Sequence, residues 1–182
     1  HRRIGMSGGL FTDILLRETG LDITEERVAR LRKAHAEAYG GFASSIRPLP
    51  GARELLAWLT DNGMPWAVAT SGRMETARHN LAALGIDPEA TPVITRDMVR
   101  HAKPDPDLFM VAAERLGVDI MQSLVIGDSI WDMLAAQRAR ALGVGLMSGG
   151  YGVQELQQSG AFRVYEDPAD LLRHVDEVAA RG

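Results

Sequence analysis

The chain has 182 residues, no cysteine, and an ordinary globular mix of 46% hydrophobic and 24% charged residues. Disulfides and thiolate chemistry are excluded, and no apolar run is long enough to span a bilayer. A net charge of −4 gives no electrostatic footprint for nucleic acid or an anionic membrane, and the composition fits a cytoplasmic enzyme.

Helices are expected first. Leu10, Phe11, Ile14 and Leu15 recur at helical spacing, and Gly20 supplies a stop. Thr24 is positioned to cap a second helix, with Glu25 and Glu26 in the first turn, where the helix dipole favours acids. Ile23 and Val28 occupy the two positions of a hydrophobic staple, and Val28, Leu31 and Ala38 continue one apolar face. No strand signal interrupts residues 8–45. The character changes between Arg47 and Gly51, where two prolines and a glycine mark a linker or domain crossing.

Beyond that point short apolar runs alternate with helices. A helix through Leu55, Leu56 and Leu59 ends at Asn62-Gly63, and Trp66 to Thr70 is a first run. Met74 to Leu84 is a helix closed by Gly85, and Val93-Ile94 is a second run. A helix through Leu108, Phe109, Ala112 and Leu116 closes at Gly117, and Leu124 to Ile126 is a third run. The pattern then predicts a helix to Leu142 with Gly143 as its stop, runs at Val144 to Met147 and Phe162 to Tyr165, and a last helix opened by Asp167-Pro168 that continues through Leu171, Leu172, Val175 and Val178. Strands alternating with helices make parallel βαβ units, and strands apolar throughout imply a sheet covered on both faces. The expected architecture is a Rossmann-like doubly wound α/β domain over 48–182, preceded by a helical piece over 1–47. In such sheets ligands bind beyond the carboxyl ends of the strands, so the polar residues there carry the functional question.

Three such ends stand out. Thr70-Ser71-Gly72-Arg73 offers a hydroxyl and backbone N–H groups that read either as a phosphate cradle or as an ordinary strand-to-helix turn. Lys103, held extended before Pro104, with Pro106 near a helix start, is either a fixed ammonium beside an anion site or a solvated surface lysine. Asp128 follows a strand and Gly127, and Asp132 lies one helical turn on; the two carboxylates suit Mg²⁺, which prefers oxygen ligands. The competing reading makes Asp128 or Ser129 a helix cap and Asp132 a first-turn partner of the helix dipole.

Taken together, Val68-Ala-Thr70-Ser71, Lys103-Pro104 with Pro106 and Phe109, and Gly127-Asp128-Ser129 with Asp132 resemble the second, third and fourth motifs of the haloacid dehalogenase superfamily. The subgroup that looks most similar includes phosphoglycolate-phosphatase-like and β-phosphoglucomutase-like enzymes with a helical cap. The resemblance implies that Thr70 hydrogen-bonds the transferring phosphoryl group and Lys103 steadies its charge. It also implies that Asp128 binds Mg²⁺, with Asp132 assisting directly or through water. Ser71, Gly72 and Arg73 would contact phosphate or substrate. Residues 1–47 would be the later part of the cap, and the stretch from Arg3 to Gly9 resembles its substrate-facing loop, with Arg3 and Ser7 as substrate contacts.

The family's first motif, an Asp-x-Asp after the central strand, has no counterpart. Asp105-Pro106-Asp107 is the single Asp-x-Asp and follows no apolar strand. The expectation is therefore a gene product with an upstream segment of about 20–45 residues carrying that strand and the nucleophile, and a chain that is inactive as it stands. The expected activity of the intact protein is Mg²⁺-dependent hydrolysis of a small phosphorylated metabolite through an aspartyl-phosphate. A phosphomutase and a non-catalytic phosphate-binding protein are the alternatives. Neither nucleic acid nor membrane is an expected partner, and the sequence leaves the oligomeric state unknown.

Overall fold

Local signals set the helix ends. Thr24 takes an extended conformation and its side chain accepts a hydrogen bond from the Arg27 amide, which starts the second helix where the sequence places it. Glycines at positive φ close the helices at Gly85 and Gly117, a conformation that costs glycine nothing and other residues about 1 kcal/mol or more. The protein is described by a computed structural model covering residues 5–6, 8–20, 22 and 24–179. Arg3, Ser7 and Ile23 lie outside the described residues.

The elements run α1 (Gly8–Thr19), α2 (Glu25–Gly41), α3 (Ala52–Asp61), β1 (Val68–Ala69), α4 (Met74–Leu84), β2 (Val93–Ile94), α5 (Asp107–Leu116), β3 (Leu124–Gly127), α6 (Ile130–Ala139), β4 (Leu142–Leu146), α7 (Val153–Gln158), β5 (Ala161–Tyr165) and α8 (Pro168–Arg173). Every strand pairing is parallel. Among the described residues β1 pairs with β2, and β3-β4-β5 form a separate three-stranded sheet, in keeping with a central strand that has no counterpart in the sequence. β1 and β3 are both edges. The exposure of Ile126, at 38%, marks the open side of β3, and this corrects the expectation that every strand is covered on both faces.

Helices join the two sheets. Phe109 of α5 packs with Val125, Ala135 and Ala136, and Ala69 of β1 lies against the same cluster. On another face α3 and α8 enclose Leu55, Val144, Leu146, Tyr165 and Leu171. Each fully buried aliphatic side chain of this kind contributes about 1.5–3 kcal/mol.

Several sequence expectations shift. The helix predicted to reach Leu142 stops at Ala139, because Arg140 caps it in the left-handed conformation at φ 63°. Gly143 is consequently not a helix stop. It sits inside β4, paired with Val125 and Ala161, where a side chain would press on Met133 Sδ and the Gly160 carbonyl. The last helix ends at Arg173, and Val175–Glu177 form a 3-10 turn. Helix α7 gave no signal in the sequence reading. Among the described residues of α1, Thr12 and Leu16 are buried, while Phe11 is exposed. The apolar face of α2 buries none of its residues.

Candidate active site

Lys103 is the junction of the site. It follows β2 in the chain, and its Nζ donates to Asp132 Oδ1 at 2.6 Å and reaches the carbonyl of Ala69, the last residue of β1, at 3.5 Å. The Phe109 ring lies under the ammonium, 5.9 Å away at its centroid. Lys103 is 9% exposed, so the solvated-lysine reading fails. A buried ammonium is tolerated only when paired, and here Lys103 ties the helix after β3 to the end of β1.

The acidic segment is built around a helix start. Ser129 caps α6: its Oγ accepts from the Asp132 amide at 3.3 Å, and the Ser129 amide donates to Asp132 Oδ2 at 3.1 Å. The Ser129 hydroxyl also donates to Asp132 Oδ2 at 2.5 Å. Both oxygens of Asp132 are thus engaged, one by Lys103 and one by Ser129. The capping reading of Asp132 is correct as local structure. It leaves Asp128 as the carboxylate open to direct contact with a cation. Gly127 makes the arrangement possible, since a side chain there would fall 2.6 Å from Asp132 Cγ.

Asp128 is half-buried. Burial is the main cause that raises its pKa above the usual 3.8; the negative charge of Asp132 raises it further, while Lys103 and its own amide lower it in part. A carboxylate whose ionised form is under-compensated attracts a cation. Among the described residues no three His, Asp or Glu side chains gather into a metal cluster. Asp128, with the Asp132 charge acting on it, offers carboxylate oxygen, which suits a hard ion that keeps water and substrate oxygens in its shell.

At the end of β1, Thr70 Oγ1 accepts from the Gly72 amide at 3.0 Å, which spends a lone pair and leaves the O–H to donate. A side chain at Gly72 would stand 3.3 Å from that oxygen. Ser71 Oγ is buried without a hydrogen-bond partner. Arg73 turns to the surface and ion-pairs closely with Asp97, whose other oxygen accepts from the Met74 amide at 3.4 Å at the start of α4. Asp97 was missed in the sequence because it lies 24 residues from Arg73. Of the loop resembling a substrate-facing segment, Gly5 is described. It adopts φ +78° directly over Ser129, where an added Cβ would fall 2.5 Å from the Ser129 Cβ.

A hydroxyl, a buried lysine and an acid thus each follow a strand of a parallel α/β fold. Residues 7–140 match the family of haloacid dehalogenase-like hydrolases, and the chain belongs to that family. A hydrolase from Pseudomonas syringae is 54% identical and superposes with a TM-score of 0.95 over 99% of this chain and 82% of that one. Hexitol phosphatase A of Escherichia coli is 37% identical over 54% of this chain and 44% of its own length. The phosphoglycolate phosphatase of Rhodospirillum rubrum is 34% identical over 81% of this chain and 60% of its own length. The chain thus spans 44% and 60% of the length of these two curated relatives.

Proposed function

We propose that the gene product is a Mg²⁺-dependent phosphatase acting on phosphomonoesters of a small metabolite. The observation that carries this reading is the buried Lys103–Asp132 pair, which brings Asp128, Lys103 and the Thr70 strand end to one place. The relatives' names, hexitol phosphatase and phosphoglycolate phosphatase, support small phosphorylated substrates.

In this reading Thr70 donates its O–H to a phosphoryl oxygen. Lys103 holds positive charge beside the transferring group, where a preorganised cation acts without reorganisation. Asp132 orients Lys103 and assists at the metal through water. Asp128 holds Mg²⁺, which when bound withdraws charge from a phosphate oxygen. Ser71 and Gly72 line the phosphate side, and Arg73 meets substrate only by leaving Asp97. Residues 1–47 act as the later part of a helical cap over a core of 48–182. In the intact protein an aspartate carboxylate attacks phosphorus as the ester P–O bond breaks and the alcohol leaves, and water then releases phosphate from the aspartyl-phosphate.

The test is phosphate release from a panel of small phosphomonoesters, with Mg²⁺ and with chelator. The protein as its gene encodes it is expected to turn over in a chelator-sensitive way, and the 182-residue chain is expected to be inactive. Removing a covalent nucleophile costs on the order of 10⁶ in rate. Chelator-sensitive turnover by the 182-residue chain would show that a carboxylate within it attacks phosphorus, and would overturn the assignment of the nucleophile.

A further inference from the structure

Asp128 lies between a strand and a helix, and hydrogen bonds from other side chains do not account for its orientation. A different part of the chain lies against it. The 3-10 turn Met147–Gly149 follows β4 and lies on the Asp128 backbone. A Cβ at residue 149 would fall 2.9 Å from the Asp128 carbonyl carbon and 2.9 Å from its carboxylate carbon Cγ, and closer still to the carbonyl oxygen. Gly149 is buried and its φ is not positive, so space and not backbone conformation requires glycine there. Two residues on, Tyr151 is 2% exposed and its hydroxyl is hydrogen-bonded to Trp131, the residue next to Asp132 on α6.

We infer that the turn Met147–Gly149 is the positioning element of the metal-binding carboxylate: Gly149 seats Asp128 by direct contact, and Tyr151 locks the turn onto α6 through Trp131. The inference rests on the reading that Asp128 holds the cation. Gly149 and Tyr151 act by fixing where the Asp128 carboxylate points. A shift of a few tenths of an ångström displaces the ligand of an ion that tolerates little distortion.

The test is Mn²⁺ binding to the protein as its gene encodes it, read from the loss of the free-ion electron paramagnetic resonance signal, with folding followed by circular dichroism. Gly149→Ala is expected to weaken Mn²⁺ binding at least tenfold, and Tyr151→Phe about threefold, while an unchanged binding constant is expected for Gly152→Ala, whose Cβ would meet nothing nearer than Glu155 Oε2 at 3.8 Å. In turnover the same two variants raise the Mg²⁺ concentration needed for half-activation and leave the substrate KM at saturating Mg²⁺ unchanged. A folded Gly149→Ala protein that binds Mn²⁺ like the wild type overturns the inference. Should Gly149→Ala not fold, wild-type Mn²⁺ binding by Tyr151→Phe overturns it instead. Failure of the wild-type protein to bind Mn²⁺ refutes the metal reading of Asp128 itself, and the inference with it.

Discussion

Helices α2 and α6 make an instructive pair. The first has 17 residues and buries none; the second has 10 and buries five, including Asp132 and Met133. α2 rests on local devices: the Thr24 cap, acids in its first turn, and an exposed Lys33–Glu37 pair that contributes little. Among the described residues, a long-range hydrogen bond runs from Tyr39 Oη to Asn80 Oδ1 of α4, at 2.8 Å on the surface. α6 carries the acidic motif on a helix gripped by β3, β4 and α5. The residues read as chemistry thus sit on the well-packed part, and the helix read as part of a cap buries none of its residues.

The largest test of this contrast is Lys103→Met. It strands the Asp132 carboxylate in a buried site, and loss of one partner from a buried pair costs about 3–5 kcal/mol. Urea unfolding is expected to show that loss, with much of it regained when Asp132→Asn is added. Equal stabilities for the single and double variants would mean that the pair is not coupled.

Next come Met133→Ala and Leu31→Ala. Met133 is fully buried and Leu31 is 36% exposed, so the expected costs are about 2–5 kcal/mol and within about 0.5 kcal/mol. Comparable losses would show that α2 is packed as firmly as α6.

Asp128→Asn sharpens the electrostatic side. Because the folded pKa is raised, the folded chain holds its proton more tightly than the unfolded one. The stability this confers is complete below the ordinary value of 3.8 and is lost as pH rises through the raised value. Without divalent cation the Asn variant is expected to melt at the same temperature as the wild type in acid and above it near neutrality. Melting curves at several pH values check this, and an Asn variant that is less stable at neutral pH would contradict it.

The smallest effect is Tyr39→Phe, at about 1 kcal/mol or less for a solvated hydrogen bond. Amide exchange in α2 is expected to accelerate while exchange in α6 stays unchanged. Acceleration in both would mean that the two helices open together.

Much of this was legible in the sequence, and the limits have physical causes. Thr24, Gly85 and Gly117 act within one turn of the backbone they control, so helix starts and stops were readable from neighbours in the chain. The order of strands and helices, and the choice of Thr70, Lys103, Asp128 and Asp132, followed from periodicity and from resemblance. Tertiary structure alone decided how those residues are used. It set Arg73 on Asp97. It also turned Asp132 toward Lys103 and Ser129, and it brought Gly149 under Asp128. Each of these contacts joins residues distant in the chain or depends on a side chain's direction, and hydrophobic spacing encodes neither. Gly143 shows the same limit: a glycine after a helical pattern looks like a stop until the neighbouring strands show that it is there to let β4 pack closely.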